Sequence, residues 1–193
     1  MKISLIIFTL FLIAAPALAG SSGCVKGDCR DGRGVYRFPD GTLYRGQFSN
    51  ALMEGRGSMS YPEGDFYEGD FARGKFEGHG KITYPSGDSY DGNFRNGSQS
   101  GQGTYHYAIG DDYSGNFVNG LPEGNGTMTF KDGSHYAGEF RSGQPNGRGA
   151  YHYLDGGIYE GDFVGGKKEG HGTYSFPDGS KQSGAYRHDH FVE

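Results

Sequence analysis

The sequence contains no tryptophan and only two cysteines in 193 residues. It has no basic excess either: 18 Lys and Arg stand against 23 Asp and Glu, a formal net charge of -5. A nucleic-acid partner needs a basic stripe that displaces counterions from phosphates, and none is visible in the sequence, so that class is excluded. Long-range attraction to anionic lipid is weakened for the same reason. No second cysteine pair follows Cys24 and Cys29, which argues against a zinc site built on thiolates. Glycine does not recur at every third position, so the chain is not collagen-like.

What is abundant narrows the choice further. Glycine supplies 38 residues, and Tyr and Phe supply 15 and 14. Each glycine inside a helix costs roughly 1 kcal/mol relative to alanine, so a helical fold cannot carry this load. Disordered chains are poor in aromatic residues, and this one is rich in them. A β-rich chain full of turns remains.

Residues 1–19 read as a secretory signal peptide. Lys2 precedes an apolar run, Ile3 to Ala15, followed by Pro16 and then Ala17-Leu18-Ala19. The run is too short to cross about 30 Å of hydrocarbon. Cleavage near Ala19 would leave a mature chain starting at Gly20, and the protein is expected to be exported, to the periplasm or beyond. Residues 20–29 form a short N-terminal cap that holds Cys24 and Cys29. In an oxidising compartment their closeness predicts a disulfide.

Self-comparison exposes a period of 23 residues. The strings YRGQF, YEGDF, YDGNF, YSGNF, YAGEF and YEGDF start at Tyr44, Tyr67, Tyr90, Tyr113, Tyr136 and Tyr159. Four glycine columns, those of Gly32, Gly34, Gly41 and Gly46, hold in all seven repeats and take 28 of the 38 glycines. Aromatic columns follow Tyr36, Phe38, Tyr44 and Phe48. Within a repeat, Gly34–Phe38 and Tyr44–Phe48 alternate with the period of strands, and Pro39-Asp40-Gly41 between them is a turn. Asn96-Gly97 and Asn119-Gly120 mark turns that join one repeat to the next. The expected fold class is all-β: an elongated, single-layer antiparallel meander of 23-residue hairpins, about 14 strands in all. Ser21–Lys26 reads as one further lone strand. One face would carry the rings and, between them, glycines that let a ring lie flat across the backbone.

The pattern Tyr-x-Gly-x-Phe, then Gly, Gly-x-Gly and Asp-Gly, repeating every 23 residues, resembles the MORN repeat family over residues 30–193. The resemblance implies a hairpin sheet with scaffolding or tethering roles, protein and lipid ligands both being proposed for the family, and no catalysis. The residues themselves show no nucleophile with an acid and a His placed to activate it. The Gly-x-Gly strings lack the helix that a phosphate loop needs. Neither cofactor nor metal is called for; among the histidines only His188-Asp189-His190 is compact.

The ring ladder of Tyr44, Tyr67, Tyr90, Tyr113, Tyr136, Tyr159, Phe71, Phe94 and Phe117 has two readings. It is either the core of a sheet without a second layer, or a sticky platform for a ligand. The function expected is a non-enzymatic, exported interaction or tethering module for a protein partner, with a carbohydrate or lipid headgroup as the alternative ligand. Drift at the C-terminal strand, near Ser180–Arg187, reads as blunting of an open edge and favours a monomer over an edge-to-edge dimer.

Overall fold

The computed structural model describes residues 22–192. The predicted signal segment and the predicted start at Gly20 lie outside them. The described residues form no helix and sixteen antiparallel strands whose order in the sheet follows the chain. The strands are β1 (Gly23–Gly27), β2 (Arg33–Arg37), β3 (Leu43–Ser49), β4 (Leu52–Ser60), β5 (Phe66–Ala72), β6 (Lys75–Thr83), β7 (Ser89–Arg95) and β8 (Ser98–His106). They continue as β9 (Asp112–Val118), β10 (Leu121–Thr129), β11 (His135–Arg141), β12 (Gln144–His152), β13 (Ile158–Val164), β14 (Lys167–Ser175), β15 (Lys181–Arg187) and β16 (His190–Phe191). Two compact units divide the chain after Ser100. They are the N-terminal and the C-terminal unit.

The hairpin reading holds, with three differences. First, from β4 onward the strands preceding the turn clusters are nine residues long, because residues such as Leu52–Arg56, outside the predicted strands, are strand. Pairing of β4 with β3 runs through Gly46↔Gly57 and resumes at Gln47↔Glu54, so Gly55 and Arg56 have no counterpart in β3. Gly55 sits at φ 62°, a conformation that costs glycine nothing and most residues much. The slip is of two residues, an even number, so each side chain keeps its face. Repeats are then joined by two-residue turns: Asn96 at φ 52° and Gly97 at φ 90° match the twist of the flanking strands.

Second, sixteen strands replace the expected fourteen and a lone strand. The lone strand is Gly23–Gly27 rather than Ser21–Lys26. Third, the chain end folds back as β16, pairing Tyr186↔Phe191 and Arg187↔His190. Phe191 lies edge-on to Tyr186 with ring centroids 5.4 Å apart. The last turn therefore covers part of the edge that the sequence left open at β15.

Both units are built on the same tiling. In the N-terminal unit Tyr44, Phe48, Met59, Tyr67, Phe71, Ile82, Tyr90 and Phe94 are buried. In the C-terminal unit the buried set is Tyr113, Phe117, Met128, Tyr136, Phe140, Tyr159, Phe163 and Tyr186. Tyr44, Tyr67, Tyr113 and Tyr136 each meet two phenylalanines edge to face: Tyr136 stands 5.2 Å from Phe140 of its own strand and 4.8 Å from Phe163 of the following repeat, while Tyr159 meets Phe163 and Tyr186. Such pairs add about 0.5–1.5 kcal/mol beyond the area they bury. This shared ring is what welds one repeat to the next.

The first strand pair lacks its tyrosine, since Ser21 occupies that column. Cys24 and Cys29 form the predicted disulfide, with Cα atoms 5.8 Å apart. A Cβ built on Gly34 would lie 2.7 Å from Cys29 Sγ. The sulfur covers the glycine that a tyrosine ring covers elsewhere. The disulfide thus closes the open end of the ladder.

Candidate functional site

The ladder answers the core-or-platform question at once. Tyr44, Tyr67, Tyr90, Tyr113, Tyr136 and Tyr159 are 0% exposed, and Phe71, Phe94 and Phe117 between 2% and 5%. None of the nine rings proposed as a binding ladder presents a surface to a ligand. The physical reason lies in paired glycines. Gly138 faces Gly149 across β11 and β12, and the Tyr136 ring lies down over both. Its hydroxyl then donates to the Glu139 carbonyl at 2.9 Å. The same bond recurs from Tyr44 to Gln47, Tyr67 to Asp70, Tyr90 to Asn93, Tyr113 to Asn116 and Tyr159 to Asp162, over 2.8 to 3.2 Å.

Burial alters the acidity of these phenols. Desolvation pushes Tyr44, Tyr90 and Tyr159 up to about 12, and Tyr67, Tyr113 and Tyr136 still further in the same direction. An unfolded tyrosine ionises near pH 10, roughly. Above that pH the unfolded chain binds fewer protons than the folded one, so stability is complete below about pH 10 and falls as pH rises toward 12. The expected result is a steep alkaline step in which the tyrosinate absorbance of the six ladder residues appears together with loss of the sheet signal in circular dichroism. Ionisation of all fifteen tyrosines with the sheet intact would contradict the burial.

What stays accessible is the neighbouring row of rings, on the ladder's face but beside the turn clusters. In the C-terminal unit these half-buried rings form a continuous strip: Phe130 to Tyr151 at 5.9 Å, Tyr151 to Tyr153 at 4.5 Å, Tyr153 to Tyr174 at 5.5 Å and Tyr174 to Phe176 at 4.7 Å. Phe176 is 40% exposed, and Leu154 beside Tyr153 is exposed. The strip also has polar handles. Tyr151 Oη lies 3.0 Å from Ser134 Oγ, and Lys168 Nζ donates to Tyr153 Oη at 3.2 Å. That ammonium lies 5.3 to 5.9 Å from the ring centroids of Tyr153, Tyr159, Tyr174 and Tyr186. Desolvation lowers its pKa, while Asp189 opposes the shift. A signal for this strip exists in the sequence. The Tyr44 column is followed two residues on by a glycine that lets its ring lie down, whereas the Phe38 column leads into a turn and has none.

The other face of each unit is polar. His135 and His152, in different columns, face each other across β11 and β12 with parallel rings 4.3 Å apart. The tail group is held otherwise than for a metal: Asp189 Oδ1 accepts the Lys168 N–H at 2.9 Å, and the His188 N–H donates to Glu169. Among the described residues no group of three or more His, Cys, Asp or Glu is placed to hold a metal ion. In the N-terminal unit this face also carries an open trough of about 710 Å³ lined by more bases than acids. The basic patch absent from the linear sequence is therefore present in the fold.

Paired glycines, flat tyrosines and hairpins in strict repetition define a β-hairpin repeat protein. The chain belongs to the MORN repeat family, which matches it in seven consecutive stretches from residue 22 to 181: 22–43, 44–66, 67–89, 90–112, 113–135, 136–158 and 159–181. No curated protein matches it in sequence. Among solved structures it is similar to the SAS-4 (dCPAP) TCP domain of Drosophila melanogaster, in complex with a proline-rich motif of Ana2 (dSTIL). The TM-score is 0.54 at 14% identity, over 90% of this chain and 95% of that one. It is also similar to the wild-type TCP10 domain of Danio rerio CPAP, with a TM-score of 0.48 at 15% identity over 79% of this chain and 72% of that one.

Proposed function

We propose that this protein is a non-enzymatic interaction module that takes a proline-rich, extended segment of a protein partner on the strip from Phe130 to Phe176. The observation that carries the reading is the unbroken run of five accessible rings, four half-buried and Phe176 exposed, spaced 4.5 to 5.9 Å apart on one sheet face. Proline-rich segments dock on aromatic-lined grooves because their extended helix is formed in advance and loses little entropy on binding. The Drosophila TCP domain, a fold neighbour, is solved with a proline-rich motif. That is a fact about the neighbour, and it supports the choice of ligand. The reading includes export after cleavage near Ala19, to be read from the mass of the mature chain, and action as a monomer.

A panel of proline-rich peptides titrated by fluorescence anisotropy tests it. Wild-type protein is expected to bind at least one, and the Tyr151→Ala/Tyr174→Ala variant to lose about tenfold or more in affinity while keeping its sheet signal. Unchanged affinity in the variant would overturn the strip as the docking site, and a glycan array that binds where every peptide fails would favour the carbohydrate alternative.

A further inference from the structure

The trough of the N-terminal unit lies on the face away from its tyrosine ladder. Gly27, Gly34, Gly46 and Gly57 are among its lining residues, so part of the floor is bare backbone. Lys26, Arg33 and Arg45 line the same end. Register fixes their spacing. Lys26 pairs with Val35, and Val35 pairs with Arg45, so one cation stands on each side of β2. Two strand spacings separate these cations, roughly 10 Å, and Arg33 is two residues along β2 from Val35, roughly 7 Å.

None of these three cations has an acidic partner among the described residues. Farther along the trough the charges cancel instead. Lys81 stands between Glu68 and Asp91 in the strand register, and Asp91 also meets His79 at 3.3 Å. Arg56 is paired to Asp70 at 3.4 Å. The excess of positive charge is therefore confined to the first three strands, in a chain whose net charge is negative.

We propose that this end of the trough is a second docking site, distinct from the tyrosine strip, for an extended acidic segment of a protein partner. Charge complementarity selects an acidic occupant. Two guanidinium groups favour planar carboxylates, which they bind with two parallel N–H···O bonds. Alternate side chains of an extended peptide recur every ~6.8 Å, close to the spacing of Arg33 from the Lys26–Arg45 row. Bare glycine lets a backbone approach where side chains would block it, whereas a bilayer surface cannot follow the floor of a trough.

The test uses the full chain and a labelled decaglutamate peptide, with decaglutamine as its uncharged counterpart. Decaglutamate is expected to bind at low salt, more weakly as salt rises, and decaglutamine not to bind. Lys26→Gln/Arg33→Gln/Arg45→Gln should weaken binding about tenfold or more, with an unchanged circular dichroism spectrum. Arg141→Gln/Arg148→Gln in the C-terminal unit removes one charge fewer and should leave binding within about twofold. Absence of decaglutamate binding at low salt, or equal losses in the two variants, overturns the site. Tighter binding of a heparin oligosaccharide, or of phosphatidylserine vesicles, through the same three residues overturns the choice of a polypeptide.

Discussion

Tyr136→Ala is expected to be among the most damaging single changes in the protein, lowering stability by about 3–5 kcal/mol. Three losses coincide. The ring is fully buried, its edge-to-face contacts with Phe140 and Phe163 go together, and the Glu139 carbonyl loses the hydroxyl that bonds it. Because Phe163 belongs to the next repeat, the damage crosses a repeat boundary. Urea unfolding gives the size of the effect, and hydrogen exchange gives its place: protection should fall first in β11, β12 and β13. Tyr136→Phe keeps the ring and removes one hydrogen bond, worth about 1 kcal/mol. If the alanine variant lost no more than the phenylalanine variant, the ring would not be core.

Gly138→Ala adds one methyl group and is expected to cost about 1–3 kcal/mol. The new Cβ would lie 2.5 Å from the Gly149 Cα, and 2.6 Å from both the Arg148 carbonyl oxygen and the Tyr136 hydroxyl. The first two neighbours are backbone and cannot swing aside, so the strands must part or Tyr136 must leave its place. A thermal midpoint well below wild type, with rising near-ultraviolet disorder of tyrosine, is the expected reading. Thr127→Ala, on the polar face of β10, serves as the comparison and should stay within about 0.5 kcal/mol. An equal effect at both sites would mean that close backbone approach does not set the cost.

The parts of this structure that the sequence discloses are those that recur in it. The column of Tyr44 and the glycine columns beside it report a repeated contact, so hairpins, faces and the flat ring over glycine could all be read directly. The slip at Gly55 could not. Gly55 has no side chain to mark a face, and the column of Met53 holds Phe76, Gln99, Pro122, Pro145 and Lys168 in later repeats, so no alternation is visible by which this part of the strand could be recognised. β16 escaped for a different reason: two residues are too few to show any period.

The candidate surfaces were harder to read because they depend on differences between repeats. Phe130, Tyr151, Tyr153, Tyr174 and Phe176 belong to columns that hold Met59, Tyr61, Ile82 and Tyr84 in other repeats, so a column average hides where rings concentrate. Lys26, Arg33 and Arg45 sit at spacings unrelated to the period. Only strand register brings them to one end of one trough, and a net charge of -5 for the whole chain conceals them.

The ring that each tyrosine shares with the following repeat also governs how such a chain can change length over generations. A duplicated or deleted stretch of one full period restores every neighbour: the incoming tyrosine finds a phenylalanine on both sides, and the glycine pairs meet again. A stretch of any other length shifts one strand against the next: an odd shift turns buried rings toward water, and an even one slides each tyrosine off its glycine pair. Inheritance can therefore lengthen or shorten the interior only in whole steps, and it can do so without inventing a new contact. The two ends lack this freedom, because the disulfide over Gly34 and the fold-back of Phe191 onto Tyr186 each close one particular terminus. Gains and losses of repeats should accumulate between them, where each copy is interchangeable until its surface acquires a partner.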